Sequence, residues 1–126
     1  MNIPQGLRYT KEHEWAGMKG DIVTIGITDY AQGELGDIVF IELPEVGTMV
    51  EAKSAFGTIE AVKAVADLFA PVTGEIVEVN HQLEDAPELI NQSPYEDGWM
   101  VKIKISDASE FKSLMDADAY GRMIEG

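Results

Sequence analysis

At 126 residues, 45% of them apolar, the chain is long enough for one domain with a packed core. Its 23 acidic and 9 basic residues leave a formal net charge of -14, which excludes nucleic acid and anionic membrane surfaces as natural partners, because no basic stripe exists to release their counterions. Cysteine is absent, so no disulfide framework, zinc–thiolate site or thiol nucleophile can form, and any sulfur redox chemistry must belong to a cofactor.

In chain order, residues 14–19 and 21–27 predict a β-hairpin turned at Lys19-Gly20. Thr28 caps a short helix that runs to about Leu35 and ends at Gly36. A strand follows over 37–43, then a turn over 44–47. Extended segments are expected at 48–50, 55–62 and 64–69, with a turn at 71–74. Residues 75–79 alternate as a half-buried strand does, and 99–105 form the last strand. From 109 to 125 the apolar residues Phe111, Leu114, Met115, Tyr120, Met123 and Ile124 fall at helical spacing, with Asp107 or Ser109 as N-cap. One or two short helices are expected there, their apolar stripe packed on the β core. Trp15 and Trp99 are expected in the core. Residues 1–7 lack a basic segment followed by an apolar one, and no stretch approaches the roughly 20 apolar residues of a membrane span, so a cytoplasmic protein is expected.

A short internal repeat adds a symmetry. Asp29-Tyr30-Ala31 followed by Gly36-Asp37-Ile38-Val39 matches, at one fixed offset, Asp67-Leu68-Phe69 followed by Gly74-Glu75-Ile76-Val77. Two copies of such a unit point to a mainly β sandwich or barrel with approximate two-fold symmetry.

Lys63 stands out because no other Lys or Arg lies between Lys53 and Lys102. Its neighbours Ala61, Val62, Ala64, Val65 and Ala66 are small or β-branched and uncharged, and strands are expected on both sides. That pattern suits the tip of a tight hairpin, where an amine can enter a modifying enzyme unobstructed. A plain surface lysine capping a turn fits the same spacing. His13-Glu14 lacks the second histidine of a His-Glu-x-x-His metal helix, so no metal site is expected and His13 is read as structural.

Seven segments, in order from about residue 7 to 124, carry a resemblance to a known family. They are Arg8-Tyr9-Thr10-Lys11-Glu12-His13-Glu14-Trp15, Gly26-Ile27-Thr28-Asp29-Tyr30-Ala31, the run 35–44, Glu60-Ala61-Val62-Lys63-Ala64, the run 70–80, Pro87-Glu88-Leu89-Ile90-Asn91 and Pro94-Tyr95-Glu96-Asp97-Gly98-Trp99. The chain resembles the H-protein family of the glycine cleavage system. The resemblance implies a biotinyl/lipoyl-type hybrid barrel-sandwich of two pseudo-symmetric β units with short helices. It would be a single lipoyl-carrier domain over 1–126, with a core of about 7–105 and a C-terminal helical extension of about 107–125.

The resemblance also implies a non-catalytic carrier with lipoate attached to Lys63 as N6-lipoyl-lysine. The arm would take an aminomethyl group from a pyridoxal-phosphate glycine decarboxylase to an aminomethyltransferase, and dihydrolipoyl dehydrogenase would reoxidise it. A lipoate ligase or a lipoyl/octanoyl transferase would attach the cofactor, and the chain is expected to be monomeric. The setting would be the bacterial cytoplasm, or the mitochondrial matrix for a mature eukaryotic chain. The aminomethyl group is cationic at neutral pH, so its cleft needs carboxylates and some exclusion of water. Glu14 and Asp67, then Glu12, are the candidates, while Glu60 and Asp67 flank Lys63 as an acidic collar for the attaching enzyme. Two positions depart from the family: Ala61 stands where Ser is common, and Glu34 where some members carry His.

Other readings stay open. A lipoyl domain of a 2-oxo acid dehydrogenase usually has Asp before the lysine, where this chain has Val62. A biotin carrier usually has Met on both sides, where this chain has Val62 and Ala64. A lipoate-relay protein and an unmodified interaction module are also compatible. The acidity serves either solubility alone or docking on basic partners. A stand-alone enzyme would need a convergent catalytic set, and none is evident.

Overall fold

The structure, a computed structural model, describes residues 2–125. Strands alternating apolar and polar residues must bury one face, and here two antiparallel sheets bury theirs against each other. The larger sheet uses β1 (Arg8–Tyr9), β2 (Glu14–Lys19), β3 (Ile22–Ile27), β5 (Met49–Val50), β8 (Gly74–Val79) and β9 (Val101–Ile105), in the order β1-β2-β3-β9-β8-β5. The smaller sheet is β4 (Ile38–Glu42), β6 (Ala55–Ala61) and β7 (Val65–Phe69), with β6 in the centre. Val23, Ile25, Ile76 and Ile103 of the first sheet and Ile41, Ile59 and Leu68 of the second are buried in one common core. Burial of each such side chain is worth about 1.5–3 kcal/mol.

The expected hairpin pairs Glu14 with Ile27 through to Lys19 with Ile22, and its turn uses Gly20 at φ 65°. Helix α1 (Asp29–Leu35) begins as the sequence predicts, with the Thr28 hydroxyl accepting from the Ala31 N–H. The last strand starts at Val101 rather than residue 99, because Trp99 leaves the sheet to pack on a second cluster. Two helices escaped the sequence reading, α2 (Gln82–Asp85) and α3 (Leu89–Gln92). Neither has a side-chain cap, and each is four residues long, too short to show a helical period.

The repeat holds only in part. Asp29-Tyr30-Ala31 is helical, whereas Asp67-Leu68-Phe69 is strand. The strands after Gly36 and Gly74, β4 and β8, fall in opposite sheets, as related units of a sandwich would.

The C-terminal segment folds as α4 (Ala108–Lys112), capped by Asp107 accepting from the Ser109 N–H, and α5 (Ala117–Glu125). Tyr120 of α5 is fully buried in the second cluster with Tyr9, Trp15 and Ala117. Its ring stacks on Tyr9, with centroids 4.7 Å apart. The Tyr120 hydroxyl lies 2.7 Å from Thr28 Oγ and 2.8 Å from His13 Nδ1. All three groups are satisfied if Thr28 donates to Tyr120 and Tyr120 donates to a neutral imidazole. Burial holds His13 below its usual range, in keeping with that form. The apolar stripe is therefore mostly core, as expected, and Met123 is its exposed member.

Tyr120→Phe removes the one hydroxyl joining α5 to both the α1 cap and the 10–14 turn. It should cost about 1–3 kcal/mol, read as a lower urea midpoint with unchanged slope. An unchanged midpoint would mean that the network contributes nothing to holding the extension.

Candidate functional site

Between β6 and β7 the chain reverses in three residues, Val62, Lys63 and Ala64. The Ala61 N–H donates to the Ala64 carbonyl at 2.7 Å, and the return bond measures 3.4 Å. A third bond, from the Val62 N–H to the Asp37 carbonyl at 3.0 Å, ties the tip to the start of β4. Lys63 is exposed at this tip and makes no ion pair among the described residues. Its stem lies on Gly36, where an added Cβ would sit 3.3 Å from Lys63 Cε. Gly36 also has φ 82°, so glycine is favoured there twice over. Ala61, where the family commonly has Ser, points inward and is buried, and its backbone already makes both closing bonds. No hydroxyl is needed to shape this turn.

Register places the acidic collar. Phe40, Glu60 and Val65 form one row across the outer face of the smaller sheet, and Glu42, Thr58 and Asp67 form the next. Glu60 and Asp67 therefore share the solvent face with Lys63 above them, Asp67 exposed and Glu60 half-buried.

The other two candidates lie beyond β7, Glu12 in the turn between β1 and β2 and Glu14 at the first position of β2. Glu12 is exposed, while Glu14 is 2% exposed and forms a polar link through the region. One of its carboxylate oxygens accepts from the Thr10 hydroxyl at 2.5 Å, and the other accepts from the Phe69 N–H at 3.3 Å. Burial is the dominant influence on this carboxyl and pushes it up to about 7, against the two hydrogen bonds and with help from Glu12.

Glu14 borders two cavities. One, of about 340 Å³, lies between α1, the 12–14 turn and β7. Its walls include Glu12, His13, Glu14, Tyr30, Glu34 and Asp67, over a floor that includes Ile59 and Leu68. The second, of about 370 Å³, lies behind Glu14 toward Lys53, Phe69 and Leu114. Glu12, Glu14 and Asp67 thus meet at the first cavity, and Glu60 does not. Leu35 and Ala31, one helical turn apart on α1, line that cavity directly beyond Gly36. A group attached to Lys63 would meet this wall.

Sequence reasoning missed Asn91. Its Nδ2 donates to the Gly36 carbonyl at 2.8 Å and to Gln32 Oε1 at 3.0 Å, and its Oδ1 accepts from the Ile38 N–H at 2.9 Å. One amide therefore fixes the α1–β4 corner on which Lys63 rests. Its place in the quoted run 87–91 was the available signal. Glu34 was read only as a departure, and it is exposed at the cavity wall beside Tyr30, whose hydroxyl it pushes above the usual range.

Known proteins resemble the chain along nearly its whole length. The profile described as "Glycine cleavage H-protein" matches residues 7–126. The "Glycine cleavage system H protein" of Staphylococcus carnosus is 56% identical over 124 residues, covering 98% of both chains. That of Halalkalibacterium halodurans is 58% identical over 123 residues, covering 98% of this chain and 96% of its own. The crystal structure of a glycine cleavage system H protein from Mycobacterium marinum superposes with a TM-score of 0.90 at 38% identity, covering 98% of this chain and all of that one. With a family profile, close relatives and a solved structure all matched along nearly its whole length, the chain belongs to the glycine cleavage H-protein family.

Proposed function

We propose that Lys63 is the residue through which this chain carries lipoate, as N6-lipoyl-lysine, and that the cavity at Glu14 receives the far end of the arm. As a member of its family the chain is a lipoyl carrier of the glycine cleavage system and not a catalyst, and its partners are the other enzymes of that system. These are the glycine decarboxylase, the aminomethyltransferase and dihydrolipoyl dehydrogenase. The observation that carries the assignment is the isolation of Lys63 on an exposed tip held by three backbone bonds. The described residues 2–125 act as one carrier unit, working as a monomer in the cytoplasm and modified by a lipoate ligase or a lipoyl/octanoyl transferase.

Once bound, the lipoyl group supplies a dithiolane that takes up an aminomethyl group and two electrons. The residues of the chain attach, orient and shelter it. Attachment requires that the Lys63 Nζ give up a proton and attack an activated acyl carbonyl. With a lipoate ligase the amide C–N bond forms as the acyl–oxygen bond of an acyl adenylate breaks, and AMP leaves with that electron pair. Gly36 leaves room for the Lys63 stem beside α1. Ile59 and Leu68 keep the cavity floor apolar, while Glu12, Glu34 and Asp67 set carboxylates around its walls. Glu14 lies deepest of these acids, so a primary ammonium reaching it would be met by a fixed, desolvated carboxylate.

Peptide mass mapping after co-expression with a lipoate ligase should find one adduct, on Lys63. Lys63→Arg should abolish it while moving stability by no more than about 0.5 kcal/mol, since the side chain is exposed. An adduct on Lys53 or Lys102 instead would overturn the assignment.

The titration of Glu14 gives a second test. Its carboxyl is raised on folding, from 4.5 to about 7, so the folded state holds its proton more tightly. The stability linked to it is full below about pH 4.5 and is lost as pH rises through about 7. Glu14→Gln keeps an acceptor for the Phe69 N–H and a donor for Thr10 Oγ without a charge. Relative to wild type, the variant should gain on the order of 3 kcal/mol between pH 4.5 and 8, measured by urea unfolding across that range. A difference independent of pH would show that Glu14 does not titrate there.

A further inference from the structure

The outer face of the smaller sheet is more apolar than a solvated face requires. Val39 and Phe40 are each 51% exposed, Val65 66% and Val62 75%. Regular alternation would have turned either Val39 or Phe40 inward. Instead the register between β4 and β6 shifts between Ile38 and Phe40, so that Val39 is an extra residue and Val39 and Phe40 together oppose Glu60. A bulge of this kind re-aims side chains and interrupts the ladder. Its result here is a contiguous patch, Val39 and Phe40 beside Glu60 and Val65, one step from Val62 and Lys63. Carboxylates rim it, with Glu42 and Asp67 in the row below and exposed Asp37 at the start of β4. An apolar centre with a charged rim is the anatomy of a protein interface.

We propose that this face is the docking surface for the enzyme that acylates Lys63, and that this enzyme meets it with an apolar recess bordered by basic residues. The proposal rests on Lys63 being the attachment site. Reach selects that occupant over the other partners. Acylation needs the Lys63 Nζ itself within bonding distance of an acyl adenylate, so the surface around the tip must touch the acylating enzyme. An enzyme that acts on the far end of the attached arm can leave the tip outside. The charge is complementary as well, since a chain of net charge -14 with a carboxylate rim favours a basic border.

The test uses the full-length apo protein and a purified lipoate ligase with lipoate and ATP, following adduct formation by intact mass. Phe40→Ser with Val65→Ser should lower kcat/KM for acylation by at least about tenfold, chiefly through KM. Val46→Ser with Met49→Ser, at exposed apolar positions of the 44–47 turn and the other sheet, should leave it unchanged. Both proteins should keep the wild-type far-ultraviolet spectrum and melting temperature, because the altered side chains are exposed. Equal acylation of Phe40→Ser/Val65→Ser and wild type would overturn the docking surface alone. An equal loss in the control pair would do the same. So would a wild-type dimer, seen by sedimentation, that the Phe40→Ser/Val65→Ser protein fails to form, since the face would then belong to a second copy. A wild type that acquires no adduct at Lys63 would overturn the attachment site itself, and with it the surface.

Discussion

The central place of β6 is the constraint from which the site follows. Because β6 is paired on one side to β4 and on the other to β7, the chain that leaves it at Ala61 and returns at Val65 has no freedom to swing. The three backbone bonds of the tip extend that rigidity to within one residue of Lys63. A lysine on a long loop would have to be ordered at each encounter with an enzyme, at about 0.5–1.5 kcal/mol for the side chain alone and more for the backbone. Here the backbone of the tip is already paired, so only the side chain is left to be ordered. Asn91 extends the same constraint to the other wall of the site, since one amide pins Gly36 and Ile38. The stem of Lys63 therefore rests on a corner whose position is set by α3.

Glu14 works against stability where Asn91 works for it. A carboxyl that burial raises to about 7 is partly uncharged near neutrality, and its ionised form is held only by Thr10 and the Phe69 N–H. A buried acid with two modest partners and a cavity on each side is poorly compensated as a structural element. The cost is intelligible if a cation completes its surroundings. An ammonium at the cavity would draw the carboxyl back down, and the charge that burial penalises would then be paired. The neutral imidazole of His13 suits the same cavity, because a protonated one would repel such a cation.

The sequence revealed features that depend on local chemistry. Thr28 and Asp107 announced their helices because a hydroxyl or carboxylate before an apolar period satisfies free N–H groups. Gly20 and Gly36 marked turns that need positive φ. Lys63 was visible because its neighbours are uncharged and strands flank it. Features that depend on pairing across the fold were hidden. The run Asp37-Ile38-Val39-Phe40-Ile41-Glu42-Leu43 reads as a plain strand, and only its register against β6 exposes the bulge. Glu14 was legible as a cleft candidate but its burial was not, since it follows from β7 and the C-terminal segment packing around it. Helices α2 and α3 were missed because tertiary packing, through buried Leu83 and Ile90, holds them in place of caps.

An apolar patch on an open sheet face invites self-association, and β4 and β7 are both edge strands of their sheet. Three features oppose it. The bulge breaks the regular ladder that a second copy would need to extend β4. Glu42 and Asp67 sit on the two edge strands, so pairing either edge with itself would bring like charges together across the new seam. The net charge of -14 adds repulsion between whole molecules at low salt. Each of these acts only against a copy of the same chain. A partner with basic residues at its border meets attraction where the copy meets repulsion. The acidity that looked on composition alone to be a choice between solubility and recognition can therefore serve both, because the same carboxylates that keep two copies apart lie on the face that leads to the exposed Lys63.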